Sequence, residues 1–361
     1  MRAGIVPLLA AAWLWLASCA PAAPAAPAAP AARLTYTAAA SAASSATPAP
    51  TGTAVTAVTN PVPAPSAEAS APASETGPPA TAAAGATRTR PPQPPSPTPL
   101  QLNGLALDEF LMMDEETRVH VRIIYRRGQL IGRDAQAFSR LGTSIVATSH
   151  YLSAFDGDHY HLGRFAFLKP TIDHFSGSFN RMGAAIRRGL TAWAVFAPHW
   201  ADERWCRPGE TMLACEVRLH NPAVLVIFIG TNDIADLARF ERNVRRLVRH
   251  SAELGVIPLL TTKADRFEGP SGRNNTMLRT VALEERVPLL DYDRLAATLP
   301  DRGLNADGVH LSLFAANDYR LKRGTRRGYG LLNLSTLLAL DAILAEMQAA
   351  DAAQRAMDAA R

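Results

Sequence analysis

The strongest pattern in the chain is a run of seven consecutive apolar residues at 223–229, Ala223-Val224-Leu225-Val226-Ile227-Phe228-Ile229. The run is rich in β-branched side chains, bounded by Pro222 and Gly230, and too short to cross a membrane. Those features predict a strand buried on both faces, within an opening strand at 219–233. Residues 236–254 then place Leu237, Phe240, Val244, Leu247 and Val248 at helical spacing. A second buried strand is expected at 256–262, a helix at 271–286 and a third strand at 287–292. Strands and helices alternating with short links imply parallel pairing and a three-layer α/β/α sandwich with a central parallel sheet. Upstream, apolar spacing predicts a first helix over 108–125, and a short strand leads to Gly142-Thr143-Ser144. The basic stretch 122–133 reads as a helix with a solvated face. Downstream, Leu331, Leu334, Leu338, Ile343 and Leu344 predict a closing helix over 330–347.

Composition divides the 361 residues unevenly. Residues 1–19 carry a short positive start, an apolar stretch and Leu16-Ala17-Ser18-Cys19. This resembles a bacterial lipoprotein signal in which Cys19 becomes the lipid-modified terminus. Residues 20–104 are dominated by Ala, Pro, Ser and Thr. So little bulk cannot offset the entropy of ordering, and the stretch reads as a tether. The domain is expected at 105–350, followed by a polar tail at 351–361. The net charge of +5 comes from arginine, since only three of the 37 basic residues are lysine, and acidic residues are interspersed. No dense basic block points to nucleic acid. The reading is an exported protein lipid-anchored to the bacterial cell envelope, touching the membrane through its N-terminal lipid only, and a monomer.

With Cys19 assigned to lipid, Cys206 and Cys215 remain, nine positions apart. In an oxidising compartment they are expected to form a local disulfide. No metal is expected, because these cysteines with His199 and His220 match no usual ligand spacing. His159 and His161, between Asp156 and Asp158, read as surface polar residues. The aromatic-rich stretch 150–180 (Tyr151, Phe155, Tyr160, Phe165, Phe167, Phe175, Phe179) suggests a lid or substrate wall.

Three polar loops follow strands. One carries Ser144, one carries Gly230-Thr231-Asn232-Asp233, and one carries Asp307-Gly308-Val309-His310. Ligands bind beyond the carboxyl ends of parallel strands, so these loops can converge. An Asp three residues before a His can accept from its Nδ1–H and leave Nε2 as a base. Gly189 is placed to begin a helix with its N–H free for an anion.

In this order the motifs resemble those of the SGNH hydrolases, also called the GDSL esterase/lipase family, over residues 135–347. Gly142-Thr143-Ser144 stands for the first block and Gly189 for the second, with Gly183 as a rival. The third block is Gly230-Thr231-Asn232-Asp233, and the fifth is Asp307-Gly308-Val309-His310. The resemblance implies a flavodoxin-like sandwich and a serine esterase that works through an acyl-enzyme without metal or organic cofactor. It assigns Ser144 as nucleophile, His310 as base and Asp307 as its orienting partner. Ser144 N–H, Gly189 N–H and the Asn232 amide would form the oxyanion hole. The partner it implies is an ester, and location points to O-acetyl groups on carbohydrate. The family's Asp before the serine is Thr143 here, which implies a looser nucleophile loop. That difference motivates the alternative of a non-catalytic binding module.

Overall fold

The structure, a computed structural model, describes residues 100–361. The expected signal, Cys19 and nearly all of the tether lie outside the described residues. A small hairpin comes first: β1 (Gln101–Leu102) pairs antiparallel with β2 (Leu105–Ala106). Leu102 is fully buried, so the ordered domain starts before the expected boundary at 105. Helix α1 (Leu107–Phe110) and strand β3 (Leu111–Met112) precede α2 (Glu115–Leu130). The single helix expected over 108–125 is therefore split. Asp114 causes the split, because its carboxylate accepts from Thr117 N–H and caps α2.

Strand β4 (Asp134–Gly142) leads through irregular chain to α3 (Lys169–His174), and then to α4 (Met212–His220) and β5 (Pro222–Phe228). Leu219 thus belongs to a helix and not to the opening strand. The units α5 (Leu237–Glu253), β6 (Ile257–Thr261), α6 (Arg273–Glu285) and β7 (Leu289–Leu290) follow. Short α7 (Tyr292–Ala296) precedes the long closing helix α8 (Gly328–Ala359). The expected polar tail is mostly the last turns of α8, since its many alanines favour helix.

The sheet order is β3-β7-β6-β5-β4, parallel except for β3. Outside β4 a single parallel bridge joins Gly142 to Ile186. Counting that bridge as a strand, the parallel members take the 2-1-3-4-5 order of a flavodoxin-like sheet. All seven residues of β5 are buried. Val224, Val226 and Phe228 pack with Val121 and Ile124 of α2 and Leu334 and Leu338 of α8. Leu225 and Ile227 pack with Val244 of α5, Val281 of α6 and Leu213 of α4. The continuous apolar run is thus a central strand with a helical layer on each face, each buried side chain contributing about 1.5–3 kcal/mol. Arg118 and Arg122 of α2 pair with the buried Glu346 of α8, so that face of α2 is not wholly solvated.

The aromatic stretch 150–180 is not a lid. Tyr151, Phe155, Phe165, Phe175 and Phe179 are buried in the core. Phe138 of β4 meets Phe175 and Phe179 edge-on, with centroids 5.7 and 5.0 Å apart. Phe167 alone of the set is strongly exposed. The Asp156 carboxylate accepts Gly177 and Asn180 N–H, both at 2.7 Å. Cys206 and Cys215 form a disulfide between the preceding loop and α4.

Candidate active site

β4 ends at Gly142, where the backbone passes too close to β5 for a side chain. A Cβ on Gly142 would lie 2.4 Å from Phe228 O of the neighbouring β5. The next residues make one helical turn, with Val146 and Ala147 N–H donating to Thr143 O at 3.2 and 3.1 Å. Tyr329 Oη donates to Ile145 O at 3.2 Å, tying this turn to α8. Ser144 sits at the start of the turn, half-buried. Its N–H has no acceptor among the described residues.

After β7 come α7 and a short helical turn at Pro300–Gly303, and the chain then makes a tight loop. Asn305 N–H donates to His310 O at 2.7 Å, and Ser312 N–H donates to Gly303 O at 2.8 Å. Within it, Asp307 Oδ1 accepts from the N–H groups of Val309 and His310 at 3.0 and 2.9 Å. These bonds, then the His310 ring, hold its carboxyl down at about 2. Asp307 Oδ2 lies 2.8 Å from His310 Nδ1, and His310 Nε2 lies 3.0 Å from Ser144 Oγ. A carboxylate takes only hydrogen, so Nδ1 carries the proton and Nε2 accepts from the serine hydroxyl. The side chains of His310 and Asp307 are 46% and 50% exposed.

The third loop follows β5. Gly230 takes φ of +118°, and a Cβ there would meet Phe240 Cζ at 2.9 Å. No other residue fits that turn without strain. Asn232 donates one amide hydrogen to Leu190 O at 3.1 Å, and the other has no acceptor among the described residues. Leu190 adjoins Gly189, whose exposed N–H also has no acceptor among them. The link from Gly189 back to the serine loop is short, because Arg187 N–H donates to Gly142 O at 3.0 Å. No helix begins at Gly189, contrary to expectation. It lies at φ +75° in a turn. Gly183, the rival, is buried against the Glu216 carboxylate, 2.5 Å from where its Cβ would stand.

Asp233 of the same loop does work that its sequence position did not reveal. Its two oxygens accept Ala192 N–H at 3.0 and 3.2 Å, binding the Gly189 turn to the Asn232 loop. Burial pushes its carboxyl up to about 6, against the pull of that N–H and of Arg239. An Asp beside an Asn after a strand reads as turn chemistry, so only the long-range contact distinguishes it.

Thr143 also departs from expectation. Its side chain is 1% exposed, and its hydroxyl has no hydrogen-bond partner among the described residues. Backbone bonds of the helical turn, and not a polar side chain at 143, brace the Ser144 loop. Among the described residues, one group of Cys, His, Asp and Glu has ligand atoms close enough for a metal. It is Cys206, Glu210 and Cys215, and its two sulfurs are joined to each other.

No protein-family model matches the chain, and no curated protein matches it. Among solved structures it is similar to a catalytic mutant of Axe2, an acetylxylan esterase from Geobacillus stearothermophilus. The identity is 17%, covering 58% of this chain and 94% of that one, with a TM-score of 0.37. A structure of TesA gives 18% identity over 59% and 97%, with a TM-score of 0.35. The psychrotrophic esterase EstA from Pseudoalteromonas sp. gives 14% over 58% and 98%, with a TM-score of 0.37. Likenesses this distant carry no weight for the chemistry, which stands on the distances given above.

Proposed function

We propose that the protein is a serine esterase acting through an acyl-enzyme. The supporting observation is the line of contacts Asp307–His310–Ser144, at 2.8 and 3.0 Å. His310 Nε2 takes the Ser144 proton as Oγ attacks the ester carbonyl, and it then returns that proton to the leaving alcohol. Asp307 holds the imidazole and offsets the imidazolium charge. The tetrahedral oxygen is received by Ser144 N–H, Gly189 N–H and the second amide hydrogen of Asn232, each such donor being worth about 3 kcal/mol of barrier. Water, activated by His310, releases the acyl group. Export and anchoring through Cys19 belong to the same proposal, and they favour O-acyl groups on an extracellular carbohydrate as substrate.

A fluorophosphonate probe tests the chemistry, with Ser144→Ala as control. Wild type is expected to label at Ser144 and to hydrolyse p-nitrophenyl acetate, while the variant does neither. Absence of labelling in folded wild type would sink the esterase reading and leave the binding-module alternative that Thr143 motivates. A panel of acetylated sugars against longer acyl esters then separates substrate classes.

A further inference from the structure

The loop that carries Asn232 is held by two consecutive polar residues in the first turn of α6, Arg273 and Asn274, with Asn275 beside them. Asn274 is fully buried, and its Nδ2 donates to both Gly230 O and Asp233 O at 2.9 Å. One planar amide thus spends its two donors on the two ends of the tetrapeptide Gly230-Thr231-Asn232-Asp233. The neighbouring Arg273 donates to Ile234 O at 2.5 Å. Asn275, also fully buried, accepts from Lys263 N–H at 3.0 Å and donates to Lys263 O at 2.8 Å. That clamp holds the main chain of Lys263, whose wholly buried ammonium donates to Asp265 Oδ1 at 2.8 Å and to Glu268. Asp265 in turn accepts the Thr231 hydroxyl at 2.9 Å. The residues on both sides of Asn232 are therefore pinned, Thr231 through Asp265 and Asp233 through Asn274.

Stability alone gives little reason for this arrangement. Buried ion pairs are often matched or bettered by apolar packing of similar volume, so Lys263, Asp265 and Glu268 are poor choices for a loop that needs only to fold. Oriented polar groups instead fix backbone carbonyls in direction as well as position. An oxyanion donor needs that, because its contribution depends on standing in place before charge develops. We propose that Asn274, seconded by the Thr231–Asp265–Lys263 chain, is a positioning residue for Asn232 and acts on catalysis through it. The proposal rests on the serine-esterase reading for its kinetic consequence. The clamp itself is open to measurement without catalysis.

Asn274→Leu keeps similar volume and removes both donors. Thr231→Val is near-isosteric and cuts only the tie to Asp265, so it serves where Asn274→Leu does not fold. Each is expected to lower kcat on p-nitrophenyl acetate by about 10- to 100-fold, the loss that a displacement of about 1 Å brings, with KM within about twofold. In an Asn232→Ala background the same changes should cost less than about twofold, because the donor they position is gone. Equal losses in both backgrounds would overturn the proposal, since a merely structural role does not depend on Asn232. Hydrogen exchange of the 229–235 segment gives a second readout. Faster exchange in Asn274→Leu supports the clamp, and unchanged exchange overturns it even if wild type leaves Ser144 unlabelled and the esterase reading fails.

Discussion

Replacing Thr143 by Val is expected to stabilise the protein without lowering its activity. The Thr143 side chain is 1% exposed, and its hydroxyl is buried without a partner among the described residues. An unpaired buried hydroxyl costs about 1–3 kcal/mol, and a methyl in its place restores about 0.8 kcal/mol of apolar burial. Allowing for partial relaxation around the wild-type hydroxyl, the gain is about 1 to 2 kcal/mol. For a domain of this size that corresponds to a rise of roughly 3 to 6 °C in Tm. Thermal unfolding by circular dichroism reads the shift, and kcat on p-nitrophenyl acetate should stay within about twofold. A fall in Tm would refute the reasoning, because it would mean that the hydroxyl is paired in solution. The companion variant Thr143→Asp restores the residue that the SGNH pattern carries. No donor waits at Oγ1, so a buried carboxylate there is expected to lower Tm by several degrees. A gain in both Tm and activity from Asp would show that the serine loop needs a carboxylate after all.

Asp233→Asn should flatten the dependence of stability on pH. The wild-type carboxyl is raised to about 6 by burial, above its unfolded value, so its contribution is complete below about pH 4 and is lost as pH rises through 6. Discounted for partial exposure, the loss is about 1 kcal/mol, read as a difference in Tm between pH 4.5 and pH 7.5 that the variant lacks. Asp307→Asn presents an amide N–H to His310 Nδ1 and forces the wrong tautomer. With that carboxylate half exposed, kcat should fall by about 100- to 1000-fold, and a fall under tenfold would count against its orienting role. The double change Cys206→Ala/Cys215→Ala opens a loop of nine-residue separation and should cost about 2 to 3 kcal/mol, seen as a Tm lower by roughly 5 to 10 °C. An unchanged Tm would deny the disulfide a stabilising role.

Much of the sheet was legible because β5 is buried on both faces and its sequence therefore has no polar interruption. α5 was legible for the opposite reason, since one face only is apolar. The first helix was misjudged at Asp114, where the run Asp114-Glu115-Glu116-Thr117 carries a cap signal that outweighs the apolar spacing around it. The aromatic stretch does not reveal its burial in sequence, because polar neighbours such as Asp156 and Asp158 hide its destination. Only the packing of Phe175 and Phe179 on Phe138 marks it as core. Ser144, Asn232, Asp307 and His310 stand out in the sequence because they come in a fixed order; Ser144 and Asn232 follow β4 and β5 directly, whereas α7 and the turn at 300–303 separate Asp307 and His310 from β7. Asn274 does not, since an Asn in the first turn of a helix looks the same whether it meets water or two distant carbonyls.

The two halves of the site differ in how much solvent they meet. Asp307 and His310 stand about half exposed on a loop fixed mainly by its own backbone bonds. Water can solvate an imidazolium there, so under the proposed mechanism the acid–base half tolerates exposure and depends chiefly on the tautomer that Asp307 sets. In the proposed reaction the Asn232 half has no such tolerance. A donor that must be ordered as charge develops contributes little, because the cost of ordering it is added to the barrier. Asn232 is accordingly held from the front by Leu190 O and flanked by residues tied to Asn274 and Asp265, both buried. Buried polar groups are hard to accommodate in a core, and five of them, Thr231, Lys263, Asp265, Asn274 and Asn275, stand at or behind the loop of the proposed donor. The fully buried strand β5 ends where that loop begins, so its apolar packing anchors one end of the loop while Asn274 and Asp265 hold the rest.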